Sequence, residues 1–269
     1  MTVAGNTGVL SAPGQPSTPV FFCRACDVYR SGALPGTHAG SDYRASYTRP
    51  SLERHWRSQR DGFYRYLLRL IQESLPAGRA APIVVDFGSC YGHFLSLAAQ
   101  RGYRVVGVEI NPELVSITRR MGFATVTSLG AVPPGVDVIT FIDSFYYVES
   151  PEDVLRQAKA KLRDDGIVLL RVTNRNWFAT LRRRLGLDDL GVLGDALISY
   201  SPGALRKLLE GAGFRVDRVI ADGGAGKTLG CSKKSAYRML QLLTALSGNR
   251  VVLTPGVILI AAPEPPRWT

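Results

Sequence analysis

Short apolar runs and longer amphipathic segments alternate along most of this chain. The runs have the length of buried strands, whereas the longer segments repeat their apolar residues at the period of a helix. Strands are predicted at 83–87, 104–110, 124–129, 136–143, 166–172, 214–221 and 251–262. Helices are predicted from Pro50 to before Pro76, at 91–101, after a cap at Asn111, from Pro151, at 201–213 and near 234–247. This alternation predicts a doubly wound α/β fold with a largely parallel sheet, whose ligand binds at the carboxyl ends of the strands.

The chain before the first predicted helix differs in composition from the rest. Residues 1–19 are rich in Gly, Ser, Pro and Thr and are predicted to be disordered. Residues 20–49 are predicted to be irregular and contain a CxxC sequence, Cys23 to Cys26. We expect residues 20–76 to form a lid segment and helix over a core domain at 77–262, with 263–269 as a tail.

The overall composition is that of an ordinary globular protein, with 45% hydrophobic and 20% charged residues among 269. No segment predicts a membrane span or a signal peptide, and four cysteines give no disulfide framework, so a cytoplasmic location is expected. The net charge of +11 leaves three interpretations: an arginine-rich surface, an anionic small molecule or membrane surface, or nucleic acid. Because the basic residues are scattered along the sequence, nucleic acid is the least favoured of the three.

The first strand leads into a glycine turn that contains Asp86, Gly88, Cys90 and Gly92. A dinucleotide turn needs glycine in the place of Cys90 and again one step after Gly92, where the chain has His93. Asp86 would also repel a pyrophosphate. S-adenosylmethionine is a cation instead, and a carboxylate at the end of the strand favours it. Glu109, which ends the second strand, is placed to accept both ribose hydroxyls, a role that NAD would also require.

These motifs resemble the class I S-adenosylmethionine-dependent methyltransferases, over roughly residues 50–262. The acid and glycine turn at 86–92 are the most specific match, and the segments FIDSFYYVESPEDVL, GIVLLRVTNRN and YSPGALRKLLEGAGF continue it. The likeness is to a branch with ubiquinone-pathway and secondary-metabolite sugar methyltransferases. It implies a Rossmann-like, seven-stranded sheet whose last strand is antiparallel. The cofactor residues it implies are Asp86, Gly88, Ser89, Cys90, Tyr91, Gly92, Glu109, Ile110 and Asp143.

The family usually has Glu-His after the fourth strand, where this chain has Tyr146 and Tyr147. The loss of that histidine makes a metal-dependent mechanism doubtful, so no metal is expected. Tyr146, Tyr147 and His55 are the candidate catalytic residues. The candidate acceptor contacts are Trp56, Asn174, Arg175, Trp177 and Tyr200. Residues 175–202 are expected to form the acceptor lid together with the amino-terminal segment.

The expected acceptor is a small biosynthetic molecule with an apolar or ring-bearing body and an anionic group. An RNA methyltransferase and a non-catalytic regulator that binds S-adenosylmethionine stay open as alternatives, as does the oligomeric state.

Two further motifs have weaker support. Residues 221–228 match a relaxed phosphate-loop pattern, but Gly230 interrupts the helix that should follow, so a mobile loop is favoured. Cys23 and Cys26 supply only half of the four ligands that zinc needs. Related sugar methyltransferases have an amino-terminal zinc module with two cysteine pairs, but two reduced cysteines in the lid are favoured here.

Overall fold

The structure, a computed structural model, describes residues 20–32, 50–186, 193, 196–222, 231–248 and 251–265. Its main sheet has seven strands in the order β5-β4-β3-β6-β7-β10-β9, and β10 runs antiparallel to both β7 and β9. The strands of this sheet are β3 (Ile83–Phe87), β4 (Arg104–Val108), β5 (Ala124–Val126), β6 (Val136–Ile142), β7 (Leu162–Thr173), β9 (Phe214–Asp222) and β10 (Gly256–Pro263). The seven-stranded sheet and its antiparallel last strand are therefore confirmed.

Seven α-helices lie within the described residues. They are α1 (Pro50–Ser74), α2 (His93–Ala99), α3 (Pro112–Arg120), α4 (Pro151–Lys161), α5 (Asn176–Arg184), α6 (Pro202–Gly211) and α7 (Cys231–Leu246). The predicted cap of α3 is confirmed, because Asn111 Oδ1 accepts a hydrogen bond from the amide of Glu113 at 3.0 Å. No helix in the described ranges is long and apolar enough to cross a membrane.

Both faces of the sheet are covered, as the apolar character of its strands requires. Successive strand residues point to opposite faces. Val84 and Leu169 pack with α1 and α2, while Val85 and Leu170 pack with α4 and α6. The fold therefore places α1 across the same face as α2, the helix that follows the glycine turn.

The amino-terminal segment is not irregular over its first part, and that prediction is wrong. β1 (Val20–Cys23) and β2 (Val28–Ser31) form an antiparallel hairpin, and β2 also pairs with β8 (Ile198–Tyr200). The hairpin forms because Phe22 and Tyr29 bury their rings against α5, while the turn is closed by Asp27 at a φ of 52°. The sequence analysis missed this pairing because the partner strand lies about 170 residues away.

Two other boundaries differ from the prediction. β7 begins at Leu162 rather than residue 166, because Leu162 pairs with Val136 before a register shift. Residues 175–202 contain α5 and β8 in addition to loops. The disordered tail 1–19 and all but the first two residues of the 221–228 loop lie outside the described residues; those two, Ala221 and Asp222, end β9.

Candidate active site

The glycine turn lies at the carboxyl end of β3 and is tied to the neighbouring strand. Gly88 and Gly92 have φ values of 80° and 70°, which few other residues adopt without strain. The amides of Gly88 and Ser89 both donate to the carbonyl of Val108, at 2.8 and 3.2 Å. Cys90 occupies the place of the middle glycine at a φ of 48°, so the turn keeps its shape with a side chain present. The turn is thus fixed against β4.

Glu109, which follows β4, fixes the glycine turn from the side of that strand. Its carboxylate accepts hydrogen bonds from the amides of Cys90 and Asn111, both at 2.9 Å, and the residue is only 2% exposed. Burial raises the pKa of Glu109, although the amide donors oppose that shift. The next residue, Ile110, is 56% exposed, which leaves an apolar surface suited to a planar base. The contacts of both residues with the cofactor stay predictions.

Asp86, the penultimate residue of β3, precedes the turn and is 4% exposed. Its Oδ1 accepts a hydrogen bond from Thr140 Oγ1 at 2.7 Å. Burial, together with the negative charge of Glu109, raises the pKa of Asp86 to about 7, although the hydrogen bond from the Thr140 hydroxyl opposes the shift. Two buried acids therefore lie close to each other at this edge.

The donor set fits S-adenosylmethionine. In the described part of the chain, neither Asp86 nor Glu109 has a basic side chain as an ion-pair partner, so a cationic ligand would compensate their charge. Ser89 Oγ and Asn111 Nδ2, which flank these acids in sequence, are buried and have no hydrogen-bond partner among the described residues. When bound, S-adenosylmethionine supplies a methyl group on a sulfonium. The chain's own residues hold the cation and exclude water.

Helix α1 contacts the site through a residue that the sequence analysis missed, Arg60. Its guanidinium donates to Asp143 Oδ2 at 2.9 Å, and Arg171 on β7 pairs with the other oxygen of Asp143. Arg171 in turn donates to Asp222 Oδ2 at 2.6 and 3.0 Å. Asp143 was predicted to contact the cofactor, yet both of its oxygens bind arginines. These ion pairs fix α1 at the carboxyl end of β6, and the predicted contact of Asp143 with the cofactor stays a prediction.

Tyr64 lies one turn further along α1 and is buried among site residues. Its ring centroid is 5.5 Å from that of His93, and its hydroxyl hydrogen-bonds with Arg60. Burial raises the pKa of Tyr64, so the phenol stays protonated near neutral pH. Burial also raises the pKa of the Cys90 thiol to about 12, with Glu109 adding to the shift. Neither group is suited to act as a base or a nucleophile.

The predicted catalytic tyrosines lie in a short 3₁₀ turn, Phe145–Tyr147, which begins two residues after Asp143. Both are half-buried, and their ring centroids are 4.7 Å apart. Their catalytic role stays a prediction. Helix α1 includes His55 and Trp56, but their side chains lie outside the described residues.

The predicted acceptor residues are not all brought to the site. Asn174 is buried, and its side-chain amide donates to the carbonyls of Val252 and Thr254 at 2.8 and 3.0 Å, while its contact with the acceptor stays a prediction. Tyr200 is buried in β8 against Phe145 rather than placed in a lid. Arg175 is exposed and Trp177 is half-buried beside Phe178, so these two stay candidates.

A separate cleft of about 920 Å³ lies between the hairpin and α6. Cys23, Cys26 and Tyr200 line it. A hydrogen bond between the two thiols lowers the pKa of Cys23, so the pair lies close together. Within the described ranges, no three His, Cys, Asp or Glu residues form a group able to hold a metal. The interpretation as two reduced cysteines stays a prediction.

The close approach at Gly88 gives a test of the turn. A Cβ at Gly88 would lie 2.6 Å from Ser144 Cβ, whereas a Cβ at Gly78, with nearly the same φ of 78°, would meet nothing within 4 Å. Gly78→Ala should therefore cost only backbone strain, about 1 kcal/mol of unfolding free energy. Gly88→Ala should cost roughly 2–4 kcal/mol and weaken cofactor binding more than about tenfold. Urea denaturation and calorimetry measure the two effects; equal losses in both variants would contradict the close approach.

Comparison with known families agrees with this site. A model of the family described as a methyltransferase domain matches residues 55–219. The chain therefore belongs to this family of class I S-adenosylmethionine-dependent methyltransferases, and S-adenosylmethionine is its cofactor. It is an S-adenosylmethionine-dependent methyltransferase. No curated protein sequence matches it.

Solved structures with the same fold are distant in sequence. The complex between the Haloferax volcanii Trm112 methyltransferase activator and a methyltransferase gives 14% identity and a TM-score of 0.56, over 84% of this chain and 96% of the other. A methyltransferase from Archaeoglobus fulgidus gives 19% identity and a TM-score of 0.54, over 78% of this chain and 97% of the other. A methyltransferase from Clostridium acetobutylicum gives 11% identity and a TM-score of 0.52, over 76% of this chain and 92% of the other. At these identities they show the fold alone.

Proposed function

We propose that this methyltransferase acts on a small-molecule acceptor, a biosynthetic intermediate of the secondary-metabolite, sugar or quinone-like kind. The observation that carries the proposal is the position of α1. Arg60 and Tyr64 lie against Asp143 and the glycine turn, so a helix covers the region where the methyl group and its acceptor meet. A covered site admits a small acceptor more easily than a nucleic acid.

The arginines support the same choice. Within the described residues, nine arginines form ion pairs with carboxylates of the chain itself, so these nine are not free to form a basic face for phosphates. An RNA methyltransferase needs instead a basic face that is free to contact phosphates. The exposed Arg175 is a candidate for the anionic group of the acceptor.

Methyl transfer requires little chemical participation from the protein. Methyl transfer is an in-line displacement, and an enzyme accelerates it by aligning the nucleophile with the methyl carbon and by excluding water. Arg60 and Tyr64 exclude water at one side of the site. Tyr146 and Tyr147, which follow β6, are the proposed acceptor contacts on the other side.

Transfer of a labelled methyl group tests the proposal. The protein is incubated with methyl-labelled S-adenosylmethionine and either the low-molecular-weight fraction or the RNA fraction of a cell extract. We expect label in the small-molecule fraction, and none when the Glu109→Gln variant, which loses the carboxylate charge, replaces the protein. Label in RNA with a steep salt dependence would favour the RNA alternative. Stoichiometric cofactor binding without any transfer would favour a non-catalytic regulator.

A further inference from the structure

Helix α7 presents an apolar stripe to solvent. Its stripe residues, Met239, Leu242, Leu243 and Leu246, are spaced three and four apart, so they lie on one face. They are between 45% and 76% exposed. The helix is held through its other side, where Thr244 is buried and accepts a hydrogen bond from the amide of Leu253 at 3.3 Å. The apolar face that usually packs on a protein core thus points outward.

Helix α5 has a similar arrangement. Phe178, Leu181 and Leu185 are 46% to 66% exposed and lie along one side of the helix and the turn that follows it. The opposite side packs on the amino-terminal hairpin through Ala179, which is buried with Phe22 and Tyr29. The described residues therefore contain two helices that are anchored by one side and expose apolar side chains on the other.

Both helices belong to connections at the carboxyl edge of the sheet. Helix α5 follows β7, and α7 lies between β9 and β10. The two connections are in contact through Asn174. Its side chain donates to the carbonyls of Val252 and Thr254, and its backbone amide donates to the carbonyl of Pro255 at 2.8 Å. Val251, beside this junction, is itself 54% exposed. The apolar residues thus lie at the edge that also holds the active site.

The charge of the two helices indicates what covers them. Each helix carries three basic residues and neither carries an acidic one, which gives six positive charges in all. The basic residues are Arg182, Arg183 and Arg184 on α5, and Lys233, Lys234 and Arg238 on α7. A second copy of this chain would bring like charges together, and a nucleic acid would leave the apolar stripe without a partner. A lipid surface with anionic head groups satisfies both features.

We propose that α5 and α7 bind an anionic lipid surface and lie in its interface. The apolar stripes enter the boundary between head groups and acyl chains, and the net positive charge of the two helices favours anionic head groups. The proposed association is peripheral, because both helices are to lie in the interface rather than cross the bilayer. The proposal does not depend on the identity of the acceptor, because lipid binding is measured without methyl transfer.

Vesicle flotation tests the proposal. The protein should float with vesicles of phosphatidylglycerol and phosphatidylcholine, and at least about tenfold less with phosphatidylcholine alone. Leu242→Gln with Leu246→Gln should reduce binding by roughly tenfold or more. Ala245→Gln, an exposed change on the same helix, should leave it unchanged. Neutralising Lys233, Lys234 and Arg238 to Gln should reduce it more than the same change at Arg156, Arg206 and Arg215, which lie on other elements.

Two results would overturn the proposal. One is flotation of the unchanged protein that does not exceed its level with phosphatidylcholine alone. The other is a sedimentation mass that falls from dimer to monomer when Leu242 and Leu246 become Gln, without a change in flotation. The second result would assign the stripe to contact between copies of the chain.

Discussion

Replacing Arg171 by methionine should lower the free energy of unfolding by about 3–5 kcal/mol, the cost of leaving a buried partner charge uncompensated. The Arg171 side chain is 6% exposed and the Asp222 side chain 1% exposed, so water cannot replace the lost guanidinium. Its positive charge also lies 5.3 Å from the ring centroid of Phe63 on α1. Methionine has a similar length but no charge. Urea denaturation at neutral pH measures the loss.

The control is Arg215→Met, because Arg215 pairs with Asp217 on the surface of β9. Exposed ion pairs contribute little, so this change should cost less than about 1 kcal/mol. Adding Asp222→Asn to the Arg171→Met variant should recover part of the loss, since no carboxylate then stays buried without a partner at that position. Equal effects of Arg171→Met and Arg215→Met would show that the buried network contributes no more than a surface pair.

The parts of the fold that the sequence predicted correctly depend on local patterns. The apolar run at 83–87 and the cap at Asn111 each contain their signal within a few residues. The glycine turn was recognised because Gly88 and Gly92 need a positive φ that side chains avoid. These features need no knowledge of what lies across the molecule.

The features that were missed depend on residues far apart in the chain. Arg60 and Asp143 are separated by 83 positions, and no periodicity connects them. The hairpin of β1 and β2 needs β8 to cover one of its edges. Helix α5 was predicted only as part of a lid, because the hairpin residues on which Ala179 packs lie about 150 positions earlier in the chain.

One signal was present and was not used. Arg171 interrupts the apolar run GIVLLRV in the centre of the sheet, and a charged residue there is rarely buried without a partner. The carboxylate that compensates the charge of Arg171 is that of Asp222, at the end of β9. A buried charge in a strand therefore predicts an ion pair even when the partner is not known.

The ligand-free protein should become more stable, and its cofactor binding weaker, when Asp86 is replaced by asparagine. The folded-state pKa of Asp86 is raised to about 7 from its usual value of 3.8, first by burial. Folding therefore takes up a proton at pH values between about 3.8 and 7. The free energy of unfolding falls as the pH rises through this range. Asparagine keeps an oxygen for Thr140 but carries no charge, so at pH 8 it should add about 1–3 kcal/mol of unfolding free energy.

Cofactor binding should respond in the opposite direction. A carboxylate that pairs with a cation contributes about 1.5–3 kcal/mol, so Asp86→Asn should weaken S-adenosylmethionine binding roughly ten- to a hundredfold at pH 8. Below about pH 7 the unchanged protein must release a proton from Asp86 to bind the cation, so its affinity should fall as the pH is lowered, and more steeply than that of the variant. Calorimetry across this range measures both affinities. If the two proteins showed the same pH dependence, Asp86 would be only the acceptor of the Thr140 hydrogen bond, and the cation would be held by Glu109 instead.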